Sequence, residues 1–157
     1  MEAMTILRRC RRSAEDIERL ENQIWRRRDA IGSQAPQMDP NGGSRGTGDP
    51  DKIGWMVADL ADVERKLEER KEEAAVETAS SCALLDMLPD LESDILYRYY
   101  VKRMTVPQIA HAKKYQDGYL RKRKRAGEEL LGLISAERVR GTLPRWYLEK
   151  YEKEDWT

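Results

Sequence analysis

At 157 residues and 18.3 kDa the chain has the length of one domain, or of a small domain with an appendage. Charged residues reach 37% against 39% hydrophobic, the mean hydropathy is −0.83 and phenylalanine is absent, yet Leu and Ile recur at helical spacing, so neither a disordered chain nor a sheet protein fits. No stretch approaches the roughly 18 apolar residues of a membrane span, and Met1-Glu2-Ala3-Met4 opens without the apolar run of a signal peptide, so a soluble cytoplasmic protein is expected.

Residues 4–31 read as one long helix. Cys10, Ile17, Ile24 and Ile31 stand seven apart, with Leu20 at the intervening heptad position, and the many arginines fall mostly on the other faces. Five glycines (Gly32, Gly42, Gly43, Gly46, Gly48) and three prolines (Pro36, Pro40, Pro50) then break the pattern over residues 32–50, which reads as a mobile linker loop. Asp49-Pro50 supplies an N-cap and a helix-starting proline. A second long helix is expected from about 51 to 88, with Ile53, Leu60, Leu67 and Ala74 on one heptad line and Met56 and Val63 on its partner.

Two helices with matching narrow seams, joined by a loop, predict a long antiparallel hairpin. So little apolar area is covered within such a hairpin that it is expected to pack on the C-terminal segment or on a second copy, with self-association through the hairpin predicted. Pairing Ile31 with Ile53 places Cys10 opposite residue 74, about two turns from Cys82, so no disulfide between the two cysteines is expected.

Leu88-Pro89 ends the second helix. Three shorter helical stretches follow: about 90–101, with Leu91, Ile95, Leu96 and Tyr99 apolar; about 105–113, opened by the capping-box pattern Thr105-Val106-Pro107-Gln108; and from Gln116-Asp117 through Leu120 to Leu130, Leu131 and Ile134. Thr142-Leu143-Pro144 starts a last short helix bearing Trp146, Tyr147, Leu148 and Tyr151. The domains expected are therefore 1–87 (hairpin), 88–134 and 135–157 (helical tail), all α.

Net charge is zero, from 29 basic and 29 acidic residues, but the charges are segregated. Residues 98–127 hold ten Lys/Arg and one acid, Asp117, whereas 51–79 and 80–97 each sum to −4. One basic working surface on an acidic body is the pattern of a nucleic-acid binder, with a solvated helix face as the alternative. Two cysteines and one histidine, His111, offer no zinc spacing and no triad, and Gly42-Gly43-Ser44-Arg45-Gly46-Thr47-Gly48 lacks the phosphate-loop spacing. No catalytic residue, metal or cofactor is expected.

Short helix, turn and longer basic helix is the layout of a helix-turn-helix, whose second helix enters the major groove while the first braces the backbone. Residues 88–131 resemble region 4 of sigma-70-type transcription factors. Leu88, Pro89, Glu92, Ile95, Leu96, Tyr100, Met104, Thr105, Gln108, Ile109 and Ala110 follow that family's pattern without a gap, and Leu120 stands where it keeps an apolar residue in the recognition helix. With the preceding hairpin, the layout is also similar to small ArpU-type regulators of phages and prophages. The chain departs from the family at the turn, where Lys113 and Lys114 replace an apolar residue and a glycine, and one turn after Leu120, where Arg123 and Lys124 replace an apolar anchor.

The resemblance implies a phage-type transcriptional regulator that binds duplex DNA and contacts RNA polymerase. Arg121, Lys122 and Arg125 are expected to carry most of the affinity, with Arg121 as base reader and Lys102, Arg103, Lys113 and Lys114 on phosphates. Gln116 and Tyr119, at the entrance of the recognition helix, complete the candidate site. Tyr97, Tyr99 and Tyr100 are expected to pack, as are Trp146, Tyr147 and Trp156, and His111 to lie on the surface. A phage packaging or assembly adaptor and a helical protein-interaction module are the alternative readings.

Overall fold

The structure, a computed structural model, describes residues 1–34 and 50–153. The described residues form seven α-helices and one π-helical turn, with no strand among them: the fold is all-α. The helices are α1 (Ala3–Gln34), α2 (Pro50–Leu85), α3 (Asp90–Leu96), α4 (Val106–Lys113), α5 (Asp117–Gly132), α6 (Ala136–Gly141) and α7 (Arg145–Glu152), and the π turn, Tyr97–Val101, continues α3. Most of the linker expected at 32–50, residues 35–49 with Asp49, lies outside the described residues, as does Trp156; Gly32 itself is helical.

The compact units follow a different division from 1–87, 88–134 and 135–157. Met1–Ala14 and Glu72–Thr157 form one unit, and Glu15–Lys71 the other. The boundaries fall inside both long helices because residues 3–10 and 76–88 share a core with the C-terminal helices. Ile6, Leu7, Leu84, Leu85, Leu96, Leu131, Val139 and Tyr147 are all essentially inaccessible in that core, which Tyr100 and Leu143 complete. The heptad lines run into this core at Ala3, Ile6, Leu84 and Leu88, while Leu7 and Leu85 enter it from beside the seam.

In the Glu15–Lys71 unit, α1 and α2 run antiparallel: Arg70 Nε donates to Asp16 at 3.1 Å and Arg27 Nε to Asp59 at 2.7 Å. Ile24, Val63 and Leu67 are the buried seam, flanked by Ile17, Leu20 and Leu60, as the heptad spacing predicts. In the other unit Cys10 Sγ sits 3.6 Å from Thr78 Oγ1, so the register there is about one turn away from the expected pairing of Cys10 with residue 74. Charged contacts set it. Arg9 Nε donates to Glu77 at 2.8 Å, and Glu77 is fully buried. Both cysteines are thiols, and burial, then Cys10 and Asp86, push the Cys82 thiol up.

The short helices start where their chemistry dictates. Gln108 N donates to Thr105 Oγ1 (3.3 Å) and Thr105 N to Gln108 Oε1 (2.9 Å), a complete capping box for α4. Ser135 caps α6 through Arg138 N at 3.3 Å. Helix α6 has no counterpart in the sequence reading, because one buried apolar residue, Val139, leaves no periodicity to detect. Of the aromatic tail, Tyr147 is fully buried while Trp146 is exposed. Tyr100 is buried and Tyr99 half-buried, but Tyr97 lies at the surface.

Candidate nucleic-acid interface

Helix α5 is oriented by what it buries. Leu120 joins Ile95, Ile109 and Ala110 in a small core between α3, α4 and α5, and Leu131 enters the main core one face-width away. Gly127 lets α3 approach closely: a Cβ there would stand 2.8 Å from Leu96 Cδ1 and 3.2 Å from Glu92 Cβ. With Leu120, Gly127 and Leu131 inward, the 3.6-residue period turns Gly118, Arg121, Lys122 and Arg125 outward, around an open hollow of about 530 Å³ that Tyr119 also lines.

The ten cations of the basic block separate into two sets. Arg98 Nε lies 3.2 Å and Lys113 Nζ 2.7 Å from Asp94, Arg123 lies 3.4 Å from Glu92, and Lys124 contacts Glu128. Burial works against ionisation at Asp94, but Lys113 and Arg98 outweigh it and hold the carboxyl below the usual carboxylate range. The other six, Lys102, Arg103, Lys114, Arg121, Lys122 and Arg125, make no ion pair among the described residues. All six are exposed.

Two positions where the chain departs from the sigma region 4 pattern have local explanations. Lys114 adopts φ 59°, ψ 40° as the C-cap of α4, the left-handed conformation for which glycine is ordinarily chosen, and Tyr115 N closes the turn on the carbonyl of Ala110 at 2.9 Å. Lys124 lays its stem against the module: its side chain is half-buried, with Nζ 4.2 Å from the Tyr99 ring centroid and beside Glu128. Glu128 in turn accepts from the Tyr100 hydroxyl at 2.9 Å, and burial followed by Glu128 pushes that phenol up.

Of the predicted site residues, then, Arg121, Lys122 and Arg125 share one open face. Gln116 is the exposed N-cap of α5. Tyr119 packs edge-on against Tyr115 at 5.3 Å and under the Arg123 guanidinium at 5.4 Å. Lys102 lies 5.8 Å from the Tyr97 ring, Arg103 has φ 58°, and Lys113 alone among the predicted contacts is held by a carboxylate. His111 is exposed.

Arg11 supports the site although periodicity assigns it no partner. Its guanidinium donates to the carbonyls of Tyr99 and, at 3.1 Å, Met104, and stacks 3.8 Å over the Tyr99 ring, pinning the segment that leads from the π turn into α4. The Lys124–Glu128 pair is a plain i,i+4 spacing and legible in principle. A second surface feature lies at the far end of α5, where Met87, Pro89, Leu130, Leu133 and Ile134 line an open apolar groove of about 380 Å³ and Leu133 is 81% exposed.

The chain matches no family model, no curated protein and no solved structure.

Proposed function

We propose that the chain is a duplex-DNA-binding regulator of the sigma region 4-like, phage type, with α4, the turn at Lys114 and α5 as its helix-turn-helix and no enzymatic activity of its own. The observation that carries this reading is the division of the basic block: cations turned inward or sideways are neutralised, while Arg121, Lys122 and Arg125 converge on one exposed face without a protein partner. Six unneutralised cations in one 24-residue span cost self-repulsion that a polyanion relieves.

The experiment is fluorescence anisotropy of the full chain on selected and scrambled duplexes at two salt concentrations. If all six unpaired cations reach phosphates, log K falls against log salt with a slope of about −5. Arg121→Ala costs roughly 1–3 kcal/mol and relaxes preference at one position, whereas Lys122→Ala weakens all duplexes alike and flattens the slope by about 1. Absence of binding to either duplex at low salt would refute the reading.

Protein contacts are assigned to two other surfaces. The apolar groove around Leu133 supports a polypeptide partner, which the resemblance makes RNA polymerase. Trp25 and Trp55, both largely exposed in the Glu15–Lys71 unit, support self-association through the long helices. Sedimentation giving a clean monomer at micromolar concentration would remove the second. Should duplex binding fail, the groove makes an assembly adaptor the reading to pursue.

A further inference from the structure

Among the described residues, two that are not glycine hold positive φ: Arg103 (58°) and Lys114 (59°). Side chains rarely take this conformation, because Cβ crowds the following carbonyl; glycine and asparagine are the residues that relieve it. At both places the fold demands the turn and ignores the side chain. Lys102 N donates to the carbonyl of Tyr97 and Met104 N to that of Arg98, each at 3.0 Å, which fixes the backbone around Arg103. The Tyr115 N bond to Ala110 does the same around Lys114. Yet both strained positions carry long, exposed cations with no ion pair, and they flank the same helix, α4: Arg103 two residues before its N-cap Thr105, and Lys114 as its C-cap. The backbone bonds account for the turns but not for cations at positions where glycine fits better, and side chains with no ion pair in the molecule point outside it.

We propose that Arg103 and Lys114, on either side of α4, form a two-point phosphate clamp. This rests on the duplex reading above and deepens it. Helix α4 has eight residues and so is about 12 Å long, which sets the two cations apart on that scale along the duplex surface. With α5 in the groove and α4 across the backbone, each cation is set to meet a backbone phosphate. Helix α5 thus supplies the groove contacts, while α4 sets register and orientation through charge, the division of labour expected between phosphate and base contacts.

The test substitutes glycine, which fits the turn better than the native residue and removes the charge. Arg103→Gly and Lys114→Gly are each expected to hold or raise the melting temperature, by up to about 4 °C. Each is also expected to weaken duplex binding about three- to tenfold and to flatten the salt slope by about 1. Lys114→Arg and Arg103→Lys, which keep the charge, retain affinity within about twofold. Arg121→Ala serves as the reference, losing affinity with no gain in melting temperature.

Glycine variants that bind like wild type while Arg121→Ala is impaired would overturn the clamp and leave the duplex reading standing. Weaker binding at an unchanged salt slope would show that these residues shape the turn and do not neutralise phosphate. A melting temperature lowered by glycine would remove the strain on which the inference stands. Wild type binding no duplex at low salt would end both.

Discussion

Gly127→Ala tests the close approach of α3 and α5 with a single methyl group. In an open helical site this exchange stabilises by up to about 1 kcal/mol, because alanine loses less backbone freedom on folding. At 127 the methyl carbon would stand 2.8 Å from Leu96 Cδ1, 3.3 Å from Leu96 Cγ and 3.2 Å from Glu92 Cβ. Leu96 is fully buried and cannot swing clear, and Glu92 Cβ is fixed to the α3 backbone. Overpacking of this kind costs about 1–3 kcal/mol, so the net effect is a loss of up to about 2 kcal/mol.

Gly132→Ala is the internal control, since it lies in the same helix with nothing within 4 Å of the added carbon. The two alanine variants should differ by about 1–3 kcal/mol, or several degrees in melting temperature followed by circular dichroism at 222 nm. Leu96→Ala alone should cost about 2–5 kcal/mol, but combined with Gly127→Ala it should cost less than the sum, because the methyl refills part of the cavity. Equal stability of Gly127→Ala and Gly132→Ala would refute the packing argument, and with it the roll of α5 that turns Arg121 outward.

Asp94, held below the usual carboxylate range by Lys113 and Arg98, contributes stability that is present above the unfolded carboxyl pKa of about 3.9 and lost as pH falls through its lower folded value. Asp94→Asn should therefore lower the melting temperature at pH 7 and converge with wild type in acid; a constant gap across that range would count against the ion pairs. Tyr147→Phe removes a hydroxyl that donates to Glu77 at 2.7 Å and accepts from Arg9 Nε at 2.9 Å in a fully buried setting, and urea unfolding should show a loss of about 1–3 kcal/mol. Arg11→Ala uncovers the carbonyls of Tyr99 and Met104, so amide exchange should quicken over residues 98–105 before it quickens elsewhere.

Helix content and most helix ends were legible because the signals are local. Thr105 with Gln108, Pro89, Pro144 and the seven-residue spacing of Ile17 and Ile24 each act within a few residues of themselves. The main core was not legible, and the reason lies in α2. The line Met56, Val63 continues to Arg70 and Glu77, which look like the end of an apolar seam but are paired with Asp16 and Arg9 inside it. In the candidate site the outward set Arg121, Lys122 and Arg125 follows from the helical period once Leu120 is taken as inward. Of the neutralised set, Arg98 and Lys124 follow from i,i+4 spacing, but Arg123 and Lys113 do not, because Glu92 and Asp94 reach them through tertiary contacts more than eighteen residues away in sequence.

The contact between Arg9 and the Tyr147 hydroxyl joins residues 138 apart in sequence. During synthesis at 5–20 residues per second, roughly 7–28 s pass between their appearances. Until α7 arrives, Ile6, Leu7, Leu84 and Leu85 lack the apolar cover of Tyr147, and Glu77 lacks its phenolic donor. The first helix thus waits for α7, and the core they share is completed only once Tyr147 has been made. In that interval the apolar faces of α1 and α2 stand uncovered, a transient surface of the kind that chaperones hold.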